Sequence, residues 1–189
     1  MRGLDTRGAS TPFLVLLTLP FVLIALAVWQ VDAARLAVAP AALSLVALAV
    51  LAAPACIVLE LAVQQLVRTG SLRGLAQIWG VHGFWQARPP VSAYAFVIAI
   101  AVGEEFVYRH LAHGILLEFG AGTGLAVAIT ALFYGLNHLY FGGVTVLSKT
   151  LVGLVFAALY LAGGGSLLLP AIAHGLQSVL ILSLSARRG

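Results

Sequence analysis

The chain has 189 residues, 62 % of them hydrophobic and 8 % charged, with a mean hydropathy of +1.09. Soluble domains carry about 45–50 % apolar and about 25 % charged residues. The composition therefore excludes a soluble enzyme, a disordered chain and a nucleic-acid-binding domain, and marks an integral membrane protein whose first partner is the lipid bilayer. Ten Lys and Arg stand against six Asp and Glu; in a membrane protein such basic residues are read first as topology signals.

A helix needs about 20 apolar residues to cross the hydrocarbon core. Residues 12–31 form the first such run, longer than the apolar core of a signal peptide and so expected to be a retained span. Residues 36–66 form the second. Residues 67–90 break the pattern, with Arg68, Arg73 and Arg88 alternating with Trp79, Phe84 and Trp85, a mixture suited to the membrane–water interface. Pro89-Pro90 opens a third span to about residue 118, and Gly120–Gly124 is a tight link. A fourth span runs to about residue 140, a fifth over 144–162 and, after Gly163-Gly164-Gly165, a sixth over 166–186.

Six spans put both termini on one side. With that side cytoplasmic, the inner segments hold Arg2, Arg7, Arg68, Arg73, Arg88, Arg187 and Arg188, the outer ones only Arg35, and Lys149 can snorkel inward. This bias predicts an all-α polytopic bundle of about six spans, N-in and C-in. Glycine is absent between Ala9 and Thr69 and abundant from Gly103 onward. Small residues let membrane helices approach closely. Residues 91–189 are accordingly expected to form a compact four-helix core, and residues 1–90 two lipid-facing helices with an interfacial cytoplasmic loop. Glu60 and Glu118, near predicted span ends, read as interfacial. The single Cys56 cannot form an intrachain disulfide and reads as a small buried hydrophobe.

Span three holds what does not belong in a bilayer: Glu104, Glu105, Arg109, His110 and His113. A charged residue at a helix centre costs about 2.5–3.5 kcal/mol on insertion, so two acids and one arginine unpaired cost very roughly 8 kcal/mol. Glu105 and Arg109 are one turn apart in the favourable order. Glu104 is rotated about 100° away and is the freer acid. His138 in span four and His174 in span six reach compatible depths at 1.5 Å per residue. Glu104, His138 and His174 together form the candidate site, since uncompensated polar groups inside a membrane are expensive and mark function. His110 and His113 read as its supports or as ordinary interhelical hydrogen bonds.

One carboxylate and two imidazoles can activate water, the acid as general base and a histidine as oxyanion partner or proton shuttle. The same groups could instead hold zinc, a lesser alternative to a site with no cofactor. No HExxH motif, no GxSxG elbow and no Asp inside a span supports another protease design; the two aspartates are Asp5 and Asp32.

Glu104-Glu105-Phe106-Val107-Tyr108-Arg109 resembles the EExxxR motif of the CPBP family, the CAAX prenyl proteases and bacteriocin-processing (Abi) proteins. Tyr134 to His138 resembles the second motif, FxxxH, with Tyr for Phe. His174 to Ser178 resembles the third, HxxxN or HxxxD, with Ser in the last place. The likeness covers roughly residues 91–186. It implies a glutamic-type intramembrane endopeptidase in a bacterial-type plasma membrane, acting on membrane-anchored proteins or peptides, including sorting-tail removal. Glu104 would activate water with His138, His174 and the residue at 178 would stabilise the oxyanion, and Glu105 and Arg109 would support them. Losing one oxyanion donor costs about 10²–10³ in turnover, so either Ser178 acts over a shorter path or through water, or another donor such as Asn137 or Gln177 takes over, or the enzyme is weak. Two rivals stand beside this reading: a non-catalytic binding or immunity protein of the same fold, and a small proton-linked transporter.

Overall fold

The computed structural model describes residues 11–32, 42–73 and 89–185. These residues are all helical apart from their connections. α1 spans Thr11–Asp32 and α2 Leu43–Thr69. α3 runs without a break over Val91–Glu118, α4 covers Thr123–Leu136, α5 Gly143–Ala162 and α6 Leu168–Ser185. Three of them, α2, α3 and α5, are long and apolar enough to cross a membrane. Most of the interfacial stretch expected at 67–90 lies outside the described residues, as do Arg35 and both basic termini.

Two local features depart from a regular 3.6-residue helix. Immediately after Glu105, α3 widens into a π-helical segment, Phe106–Ala112, and then returns to α-helix at His113. Such segments recur at functional sites because they change the facing of the side chains that follow. α4 ends at Leu136 instead of continuing to about residue 140; a 3₁₀ turn, Leu139–Phe141, links it to α5. His138 therefore lies beyond the helix, at a break.

α4 and α5 form a tight pair. A Cβ at Gly135 would collide with the Thr150 side chain and come within 2.7 Å of the Val146 carbonyl oxygen, so only glycine permits this approach. α6 packs on α3, and α2 packs on both α5 and α6. One buried cluster joins Ala49, Ala52 and Cys56 of α2 to Tyr134, Val152, Phe156, Leu169 and Ala173. Cys56 is buried as expected. α1 packs on α3, with Phe21 against Gly103, and leaves Leu16, Leu23, Leu26 and Trp29 exposed. α1 thus packs on one side of the described bundle, whereas the small-residue stripe of α2 is part of the buried core and not a peripheral addition.

Glu60, expected near a span end, is buried between helices. Its Oε1 accepts hydrogen bonds from Lys149 Nζ at 2.7 Å and Gln177 Nε2 at 2.8 Å. Lys149 is thereby held against α2. Three helices are tied by this one carboxylate. Removing one member of a buried ion pair leaves the other charge uncompensated, at a cost of about 3–5 kcal/mol, whereas replacing both by apolar side chains is often neutral. Glu60→Leu is therefore expected to lower stability on that scale, and Glu60→Met with Lys149→Met to recover most of it. Unfolding titrations in mixed micelles measure both; equal stability of Glu60→Leu and the native chain contradicts the ion pair.

Candidate active site

The two adjacent glutamates at the start of the π segment diverge, and each meets a different set of partners. Glu105 is fully buried. Its Oε2 lies 3.2 Å from Nε of Arg109, and its Oε1 accepts a hydrogen bond from Nδ1 of His174 at 2.8 Å. Glu104 Oε1 accepts from Asn137 Nδ2 at 2.9 Å, while its Oε2 stands 3.6 Å from His174 Nε2. His174 thus sits between the two acids, with one ring nitrogen toward each.

Arg109 anchors the back of this array. It is 1 % exposed, which in a membrane protein demands full compensation. Its Nη2 donates to the Gly153 carbonyl at 3.1 Å, and its guanidinium lies over the Tyr134 ring at 4.5 Å. Gly153 makes room for it: a Cβ there would sit 3.0 Å from Tyr134 and 3.2 Å from Arg109 Nη2. The sequence-level pairing of Glu105 with Arg109 is present. What the sequence did not indicate is that Glu105 also reaches His174.

A carboxylate can only accept, so Nδ1 of His174 carries a hydrogen when it bonds Glu105, and neutral His174 has its lone pair on Nε2. That lone pair is within reach of both the Tyr134 hydroxyl, 3.4 Å away, and the Glu104 carboxylate, 3.6 Å away, and repels the latter. A proton on either atom turns the repulsive pairing into an attractive one, so Glu104 and His174 can pass a proton between them. An imidazole between two carboxylates resembles the arrangement in which a buried acid orients a histidine for base chemistry. His138 donates from Nδ1 to the Tyr134 carbonyl, 3.0 Å away, which leaves its Nε2 as the acceptor. It makes no ion pair with either glutamate. Its sequence neighbour Asn137 touches Glu104 instead.

The other expected residues divide clearly. Ser178 is half-buried and makes no hydrogen bond among the described residues. Gln177 is committed to Glu60. His113 is buried edge-on against Tyr160, and His110 stacks on Phe106. Among the described residues no three His, Cys, Asp or Glu side chains converge as metal ligands. Two participants were not singled out from the sequence as site residues. Phe156 stacks on His174 with ring centres 4.9 Å apart, and the Tyr134 hydroxyl lies 3.4 Å from His174 Nε2. The signal for Tyr134 was in its motif, where Tyr replaces Phe and brings an oxygen.

The sequence profile of the Rce1-like family, the type II CAAX prenyl endopeptidases, matches residues 86–180. That segment contains Glu104, Glu105, Arg109, Asn137, His138 and His174. No curated protein and no solved structure matches the chain.

Proposed function

The chain belongs to the Rce1-like family of type II CAAX prenyl endopeptidases, and from that premise we propose that it is an intramembrane endopeptidase hydrolysing membrane-anchored proteins or peptides with water activated by Glu104. The observation that carries the reading is the Glu105–His174–Glu104 array, buried within an apolar helix bundle and braced by Arg109. Glu104 takes a proton from water as the oxygen attacks the scissile carbonyl carbon. The carbonyl electrons move to the oxygen, and the oxyanion is stabilised by hydrogen-bond donors at the site. When the C–N bond breaks, the proton held by Glu104, or passed through His174, goes to the leaving amine. Asn137 holds the Glu104 carboxylate in place. His138, whose Nδ1 donates to the Tyr134 carbonyl, is the second group able to move a proton.

The residues act without a cofactor in this scheme, and both termini lie on the cytoplasmic side. Substrates reach the site laterally from the bilayer and are cut near a C-terminal anchor. The experiment uses the full chain in lipid nanodiscs with two internally quenched peptides ending in a CaaX sequence, one farnesylated and one not. Cleavage of either, undiminished by a zinc chelator, supports the proposal; preference between them assigns the anchor. Cleavage abolished by chelator and restored by zinc contradicts the cofactor-free scheme. The absence of a hydrogen bond from Ser178 favours a second reading, a non-catalytic member of the family, and failure to cleave any membrane-anchored substrate is its expected result.

A further inference from the structure

Tyr134 is fully buried where α3, α4, α5 and α6 meet. A buried phenol strands a polar oxygen unless it finds a hydrogen-bond partner. The Tyr134 hydroxyl finds it in His174 Nε2, at 3.4 Å. Around that bond, the Tyr134 ring stands edge-on to His174 and to His138, and Arg109 covers its face. Phe156 stacks on the His174 ring, tilted by only 24°, and Glu105 holds Nδ1. The imidazole is therefore fixed in plane by Phe156, at one nitrogen by Glu105 and at the other by Tyr134. Ser178, one turn beyond His174 on its own helix, supplies none of this.

Resting on the endopeptidase reading, we infer that Tyr134 is a positioning residue for His174, its hydroxyl holding Nε2 in the place that a partner at position 178 leaves unfilled. A hydroxyl suits the task because it both donates and accepts. It donates to the Nε2 lone pair while His174 is neutral. When Nε2 takes the proton from Glu104, the hydroxyl turns its own lone pair to accept. Contact is kept in both protonation states, so the ring stays aligned through the reaction. Phe at 134 would keep the packing and lose this bond.

The test has two readouts on the full chain in nanodiscs. In the first, protein labelled with ¹⁵N-histidine is compared with Tyr134→Phe, the His174 signals being identified by their loss in His174→Gln. The Nε2 signal is expected to move toward that of an unbonded ring nitrogen, with Nδ1 unchanged. In the second, Tyr134→Phe is expected to lower kcat on the CaaX peptides about 10- to 100-fold, the scale on which orienting partners of a functional histidine act. KM and thermal unfolding stay as in the native chain, and adding Ser178→Asn restores part of kcat. An unmoved Nε2 signal overturns the inference, as does an unchanged kcat. So does a native spectrum in which Nε2 already appears unbonded, a result that needs no variant. Failure of the endopeptidase reading looks different: the native chain then cleaves none of the peptides, while the Nε2 signal still responds to Tyr134.

Discussion

Glu104→Gln is expected to lower cleavage of a membrane-anchored peptide by about 10²–10⁴-fold, the contribution of a positioned general base. The substitution keeps the shape of the side chain and leaves an oxygen to accept from Asn137, which now bonds Oε1 at 2.9 Å. It removes only the capacity to take a proton. The variant should therefore fold, insert and unfold as the native chain does, and substrate affinity should change little. Rate and affinity measured side by side in nanodiscs distinguish this from a structural defect. Turnover within two-fold of native would mean that Glu104 is not the base.

Arg109 carries the second large effect. Glu105 has no exposure to solvent, so it depends on Arg109 and His174 for compensation. Arg109→Ala leaves that carboxylate short of its cation, and the expected loss is about 3–5 kcal/mol of stability. Arg109→Lys tests geometry separately from charge. An ammonium is a point charge without the planar fork. It cannot at once sit beside Glu105, reach the Gly153 carbonyl and lie flat over Tyr134, as Arg109 does. Arg109→Lys is expected to fold yet cleave at least about ten-fold more slowly, because Glu105 no longer holds His174 in place. Native-level cleavage by Arg109→Lys would reduce the residue to a counter-ion.

Much of the fold was readable because bilayer physics writes itself into hydropathy. The expected run over 12–31 is α1 to within a residue at each end, and the run over 144–162 is α5 to within one. The three motifs were enough to identify the family. Hydropathy failed where a helix changes form without changing polarity. Phe106–Ala112 is apolar enough on either side of Arg109 to read as ordinary α-helix, and nothing in it announces a π segment. At 137–142 the apolar aromatic run Leu139-Tyr140-Phe141 masked the break between Asn137 and Gly142.

Pairings between distant helices were the other blind spot. Glu60 lies near the end of an apolar run, where a lone acid is normally solvated. Its partners, Lys149 and Gln177, are 89 and 117 positions away, and no local spacing encodes them. Within α3 the reverse holds. Glu105 and Arg109 are one turn apart, so their pairing was legible. The sharing of His174 between both acids was not, because it depends on where α6 packs. Of the residues expected together, Glu104, Glu105, Arg109 and His174 are in contact, Asn137 and not His138 meets Glu104, and Gln177 turns to Glu60 instead.

The central claim is that Glu104 makes this chain a hydrolase of membrane-anchored polypeptides. The most direct measurement compares the termini of all membrane proteins by mass spectrometry in cells carrying the native chain and in cells carrying Glu104→Gln at equal abundance. The expected result is at least one terminus that is present with the native chain and missing with the variant, which also names the substrate. Identical sets of termini, with the host's membrane proteins fully sampled, would contradict the claim.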